Sequence, residues 1–175
     1  MKYLLLPGSS VTNREWAEQL KTDLKQAGID LDYIAWEHWD NRKSSFSTKT
    51  EADKVLAALK GESEYVILAK SVGVALATKM IVSDQLHPTK LILMGIASAN
   101  EQVREALKKL GPGNVIIIQN HGDPYSSFVQ IKSFVHEISP KVQVIEGERD
   151  DHTYPYPELI ISLLPSLHPN KSQDH

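Results

Sequence analysis

Short apolar runs alternate with helical stripes along this chain, and the alternation predicts an α/β fold. The expected form is a three-layer α/β/α sandwich around a mostly parallel, six-stranded sheet. Three observations carry that expectation. Runs of strand length are followed by segments whose apolar residues recur at helical spacing. The connections between them are short, as in a parallel sheet whose crossovers are helices. Several of the runs, Lys90–Ile96 (KLILMGI) and Asn114–Gln119 (NVIIIQ) among them, are continuously apolar, as strands covered on both faces are.

Each element has its own signal. Lys2–Leu6 is the first strand and stops at Pro7-Gly8-Ser9-Ser10. Thr12 and Glu15 have the spacing of a capping box, and Trp16, Leu20 and Leu24 mark a helix that Gly28 ends. Asp30–Trp36 (DLDYIAW) reads as the second strand, and the polar stretch Glu37–Ser47 reads as an extended loop. Thr48 and Glu51 repeat the capping spacing before a helix through Ala52, Val55, Leu56 and Leu59. Tyr65–Leu68 is the third strand, followed at once by an apolar helix over Val72–Val82, which is expected to be largely buried. After the fourth strand, Ser98 and Glu101 give a third capping pair, and the helix runs to Gly111. The fifth strand opens into Asn120-His121-Gly122-Asp123-Pro124-Tyr125, and Phe128, Ile131, Phe134, Val135 and Ile138 form the next stripe. Lys141–Ile145 is the sixth strand, and Pro157–Leu164 the last helix. One domain is expected over residues 1–165, with a polar tail at 166–175.

The 175 residues carry a net charge of −3, which gives no electrostatic reason to expect a nucleic-acid or anionic-membrane partner. With no cysteine, disulfides, thiol catalysis and cysteine-based zinc sites are excluded. The apolar run after Met1 is too short for a secretory h-region, and no stretch approaches the length of a membrane span, so a cytoplasmic location is expected. The histidines lack a metal-site spacing such as H-E-x-x-H. The first strand-to-helix turn has neither G-x-G-x-x-G nor a Walker sequence. No metal or other cofactor is expected. Protein partners are not legible.

The stretch Ala69-Lys70-Ser71-Val72-Gly73 stands between a strand and a helix with almost no loop. This is the layout of a nucleophile elbow, G-x-S-x-G with Ala at the first small position. Small residues are needed there because the turn brings two backbones together. A plainer alternative makes Ser71 only a helix cap. In an open parallel sheet, ligands sit beyond the carboxyl ends of the strands. Those ends deliver Gly8-Ser9-Ser10, Ser71, Asp123 and His152, and a nucleophile, an acid and a base thus appear in the order Ser, Asp, His. Alone, Asp123-Pro124 could open a helix, and His152 could be a loop histidine. Asp150 and Asp151 are rival acids, but a sequence neighbour rarely reaches the ring nitrogens of His152. His121 is a rival base that precedes Asp123. Lys70 is either solvent-exposed or a positive charge beside Ser71. Trp36 and Trp39 either wall a substrate pocket or pack their loop against the sheet edge.

From PGSS through AKSVG and HGDPY to DDHTY, nearly the whole chain resembles a small, lidless α/β-hydrolase, similar to the compact serine hydrolases of the retinoblastoma-binding-protein-9 group. The resemblance implies a minimal α/β-hydrolase fold with sheet order 2-1-3-4-5-6. It also implies a Ser71, Asp123, His152 triad, with the oxyanion held by the backbone N–H groups of Val72 and, in the loop after the first strand, Ser9. Two departures from the pattern are Ala69 for the first elbow Gly and Pro7-Gly8 for the His-Gly often seen after the first strand. The function expected is cleavage of a small acyl ester, thioester or amide through an acyl-enzyme. Two alternatives stay open: a non-catalytic binding or scaffolding protein that keeps the fold, and a flavodoxin-like or nucleotide-binding domain.

Overall fold

The computed structural model describes residues 1–165, so the expected tail at 166–175 lies outside the described residues. Its strands are β1 (Lys2–Leu6), β2 (Leu31–Tyr33), β3 (Tyr65–Lys70), β4 (Lys90–Met94), β5 (Val115–Asn120) and β6 (Gln143–Gly147). The helices are α1 (Asn13–Gln26), α2 (Glu37–Asp40), α3 (Thr48–Ala58), α4 (Val72–Val82), α5 (Glu101–Leu110), α6 (Phe128–Ile138) and α7 (Pro157–Leu163). The six strands pair in the order β2-β1-β3-β4-β5-β6, which is the order the family resemblance implies, and every pair is parallel where the apolar runs predict a mostly parallel sheet.

The period-two alternation of a strand sorts its side chains into two cores. Leu4, Leu6, Ile67, Ala69, Leu91, Leu93, Val115 and Ile117 pack with residues of α3, α4, α5 and α6. Tyr3, Leu5, Val66, Leu68, Ile92, Met94 and Ile118 pack on the other face with residues of α1 and α7. Both faces of the central strands are therefore apolar, which explains their unbroken hydrophobic runs. Helix α4 buries Gly73, Val74, Leu76, Ala77, Thr78, Met80 and Ile81. Gly73 lies hard against β1, where any Cβ would overlap the Leu6 carbonyl oxygen.

The structure corrects several local expectations. The stretch after β2 is not wholly a loop, since Glu37–Asp40 forms one helical turn. The buried Glu51 carboxylate accepts from the Glu37 N–H at 2.8 Å, satisfying one of the free amides at the start of that turn. Because Glu51 is used there, it makes no box with Thr48. The α3 cap is Ser47, whose Oγ accepts from Thr50 N. Thr12 stands at the start of α1 with no side-chain capping bond. Helix α5 begins after Asn100, whose Oδ1 accepts from Val103 N at 3.0 Å, so Ser98 lies ahead of the helix in the chain leaving β4. The reciprocal capping box occurs at Ser127 and Gln130 of α6. Strand β2 ends at Tyr33, before Trp36, and β6 begins at Gln143 and continues to Gly147.

The close approach at Gly73 makes a direct prediction. Gly73→Ala forces β1 and α4 apart and lowers stability by about 3 kcal/mol, the upper range for overpacking a core, measured by chemical denaturation.

Candidate active site

Strand β3 becomes helix α4 through one residue. Ser71 has φ 55° and ψ −113°, a positive-φ conformation outside the left-handed helical region that a non-glycine residue adopts only under tight constraint. Its N–H donates to Met94 O at 3.2 Å, extending the β3–β4 ladder to the turn, and its C=O accepts from Val74 N at 2.9 Å, opening the helix. The turn thus holds Ser71 at the wall of a cavity of about 390 Å³. Gly8, Ser9, Ser10, Asn13, Trp16, Lys70, Tyr125, His152 and Tyr154 also line this cavity.

Asp123 and His152 meet across the loops that follow β5 and β6. Nδ1 of His152 lies 2.6 Å from Asp123 Oδ2. A carboxylate only accepts, so Nδ1 carries the proton and Nε2 has the free lone pair. Nε2 is buried and makes no hydrogen bond among the described residues. The Asp123 carboxylate also accepts from the Tyr154 hydroxyl at 2.7 Å and, through Oδ1, from the Tyr125 N–H at 3.0 Å. The Tyr154 oxygen in turn accepts from Asn120 N at 3.1 Å. The Tyr125 ring packs edge-on against the imidazole, with centroids 4.6 Å apart. Gly95, with φ 61°, passes beneath, where a Cβ would come within 2.9 Å of His152 Cε1 and 2.7 Å of Tyr154 Cε2.

The other candidates lie elsewhere. Asp151 binds the Arg149 guanidinium and the Thr153 hydroxyl and N–H, which hold its carboxyl far below the usual range. The Asp150 side chain packs against Gly122. His121 is exposed and pairs with Glu146 at 2.6 Å, which raises its pKa, and it does not line the cavity.

Trp36 and Trp39 do not line the cavity either. They lie behind it and hold the loop after β1. Trp36 Nε1–H donates to Pro7 O and Gly8 O at 3.2 and 3.0 Å, and Trp39 Nε1–H donates to Ser9 O at 2.8 Å. His38 Nε2 also lies 2.7 Å from Ser9 O, which makes it a second donor to that carbonyl. In a trans peptide the C=O and N–H point in opposite directions. Anchoring the Gly8 carbonyl on an indole therefore turns the Ser9 N–H away from Trp36. Neither the Ser9 N–H nor the Val72 N–H donates to another group among the described residues.

Lys70 is 5% exposed and belongs to the β3 face that α1 covers. Its ammonium donates to Asn13 Oδ1 at 2.8 Å and lies 5.6 Å from the centroid of the Trp16 ring. Burial pushes its pKa down from 10.5 to about 8, against the opposing pull of Asp123 and Asp151. Asn13 Nδ2 donates to Ser10 O at 3.0 Å, so one amide links Lys70 to the loop after β1.

Gly95, Tyr125 and Tyr154 escape the sequence reading. The only signal for Gly95 is a glycine directly after an apolar strand. The two tyrosines are visible only as neighbours of Asp123 and His152. Among the described residues, no group of three or more His, Asp or Glu side chains is arranged to hold a metal ion.

No protein-family profile matches the sequence, and comparison with curated proteins gives no match. Solved structures do match. Mouse alpha/beta hydrolase domain-containing protein 10 superposes with a TM-score of 0.63 at 13% identity, over 91% of this chain and 86% of that one. The chain has the α/β-hydrolase fold. An extracellular α/β-hydrolase of a Paenibacillus species, described as sharing structural and functional homology with tobacco salicylic acid binding protein 2, gives a TM-score of 0.64 at 11% identity, over 93% of this chain and 97% of that one. The α/β-hydrolase MGS-M2, from a deep-sea metagenome library, gives 0.61 at 8% identity, over 93% and 87%. At these identities the likeness is one of fold.

Two outcomes test this geometry. Tyr154→Phe removes a donor from the buried Asp123 carboxylate and an acceptor from Asn120 N–H, and lowers stability by about 2 kcal/mol in chemical denaturation. Below pH 8 Lys70 is charged in both the folded and unfolded states, and the folded protein bears the full cost of burying that charge. Between pH 8 and 10.5 the folded state gives up the proton first, and the cost fades. The stability difference between Lys70→Met and wild type therefore shifts toward the wild type by roughly 2 kcal/mol between pH 7 and pH 10.

Proposed function

We propose that the chain is a serine hydrolase that cleaves small acyl esters through an acyl-enzyme. The observation that carries this reading is the Asp123–His152 pair, whose Nε2, unpartnered among the described residues, belongs to the same cavity wall as the strained Ser71 turn. In this mechanism Ser71 Oγ attacks the substrate carbonyl carbon while His152 Nε2 takes the hydroxyl proton. Asp123 fixes the ring tautomer and stabilises the imidazolium that forms. The negative charge passes to the former carbonyl oxygen, where the Val72 and Ser9 N–H groups would receive it. One such donor is typically worth about 10²–10³ in rate. Collapse expels the alkoxide, which takes the proton back from His152. A water molecule activated by the same nitrogen then hydrolyses the acyl-serine and returns the free enzyme and a carboxylic acid.

A cavity of about 390 Å³ suits a small substrate. The chain elements from β1 to α7 follow one another without a domain-sized insertion, which supports placing it with the compact, lidless members of the fold, such as the retinoblastoma-binding-protein-9 group. Trp36 and Trp39 enter this reading as positioning residues that hold the Ser9 amide, and Lys70 as a cavity residue.

Fluorophosphonate labelling tests the assignment. The purified protein is expected to carry one adduct, located on Ser71 by mass spectrometry, and Ser71→Ala is expected to abolish it with the circular dichroism spectrum unchanged. Labelling that persists in the variant removes Ser71 as nucleophile. A folded wild type that never labels makes the chain a binding protein on a hydrolase fold.

A further inference from the structure

We infer that Lys70 is a specificity residue that selects substrates carrying a free carboxylate, so that the preferred ester is a monoester of a short dicarboxylic acid. The ester part of this inference rests on the hydrolase reading above, and the anion site rests on the Lys70 geometry.

A buried ammonium is costly unless it is paired and hydrogen-bonded. Lys70 is nearly as inaccessible as the apolar core, yet no carboxylate among the described residues lies within ion-pair distance of it. Its partners are one amide oxygen, on Asn13, and one indole face, on Trp16. An ammonium has three protons to donate, and Asn13 takes one. The site is therefore satisfied in part and organised in full: Asn13 is itself fixed to Ser10 O, and the Trp16 indole N–H to Tyr154 O at 3.1 Å. Those anchors hold the lysine head at the cavity wall, next in sequence to Ser71.

The lining of the cavity points to the same ligand. Among the described residues it contains no aspartate or glutamate, and Lys70 is its single lysine or arginine. The remaining polar lining is neutral hydroxyl and amide, apart from His152. In this half-open, mostly apolar cavity a carboxylate gains two charge-assisted hydrogen bonds from the free ammonium protons. The same carboxylate would offset the loss of solvation on burial that holds the Lys70 pKa near 8. Charge limits the ligand to a monoanion. Asp123 already acts on Lys70 through space, and a second negative charge, as on a phosphate monoester, would meet it with no second lysine or arginine in the described cavity lining. A substrate bearing one carboxylate and one ester places the first on Lys70 and the second on Ser71.

The test compares two esters of nearly equal size, monoethyl succinate and ethyl butyrate, with ethanol release as the readout. Monoethyl succinate binding to Ser71→Ala is followed in parallel by calorimetry. The wild type is expected to favour monoethyl succinate in kcat/KM by about ten- to a hundredfold, and Lys70→Met to abolish or invert that ratio. Turnover of both esters with equal preference, or with preference for ethyl butyrate, overturns the inference while leaving the serine hydrolase standing. If neither ester is turned over and Ser71 does not label, the hydrolase reading fails, and binding alone decides. Monoethyl succinate bound by wild type and Ser71→Ala, but lost when Lys70→Met is introduced, upholds the anion site, and no binding to the wild type overturns it. The wild-type ratio and wild-type binding need no variant, so they decide the question even where Lys70→Met folds poorly.

Discussion

A strand has to become a helix within a single residue at Ser71, and most of the candidate site depends on that constraint. The turn needs a positive φ at a residue with a Cβ, and it is held by the bond from Ser71 N to Met94 O on one side and the first turn of α4 on the other. It also needs α4 to press onto β1, which only the bare Cα of Gly73 permits. Strain at one backbone position is thus sustained by the packing of the central strands, which are buried on both faces. Because β1 is pinned by the same contact, the loop leaving β1 is brought beside the elbow. The turn that exposes Ser71 also fixes where Ser9 must be.

The loops around the cavity are secured by different chemistry. On the β5–β6 side, one buried carboxylate collects the donors: Asp123 receives His152, Tyr154 and the Tyr125 amide, so two loops share one charge. On the β1–β2 side the peptide carbonyls are the acceptors, and Trp36, His38 and Trp39 supply the donors. The first arrangement fixes a side chain, the imidazole, in one tautomer. The second fixes a peptide plane, and with it the direction of an amide. Both are indirect means of positioning, in which the group that faces the cavity is oriented by bonds made behind it.

Lys70 runs against the stability logic of its surroundings. An apolar residue would fit the β3 face beside Leu68, whereas the lysine carries a burial cost that Asn13 and Trp16 offset only in part. Natural proteins retain such residues where function needs charge out of water, since an ionic contact there is stronger than in solvent. On the proposed reading, its place beside Ser71 gives that cost a chemical use.

The strand order came with the α/β-hydrolase resemblance, whereas the order of amino acids by itself was enough to establish the α/β alternation, the parallel sheet, and the placing of Ser71, Asp123 and His152 at strand ends. These follow from short-range patterns, because the period of apolar residues and the small residues of a sharp turn are properties of neighbours in the chain. Long-range contacts set the rest. Spacing alone suggested capping boxes at Thr12, Thr48 and Ser98, but Glu51 is drawn to the Glu37 amide and Asn100 reaches the α5 amides instead. Two indoles in a polar stretch suggest a pocket wall equally well as a loop clamp. What settles their use is a set of carbonyls some 28 to 30 residues away, brought beneath the rings by the β1–β2 pairing. Gly95 carries only the signal of a glycine after an apolar strand and Tyr154 none of its own, since their roles exist only where strands from distant parts of the chain end side by side. Periodicity reports which face a residue takes. A hydrogen-bond partner is chosen by the other chain segments that the fold delivers to that face.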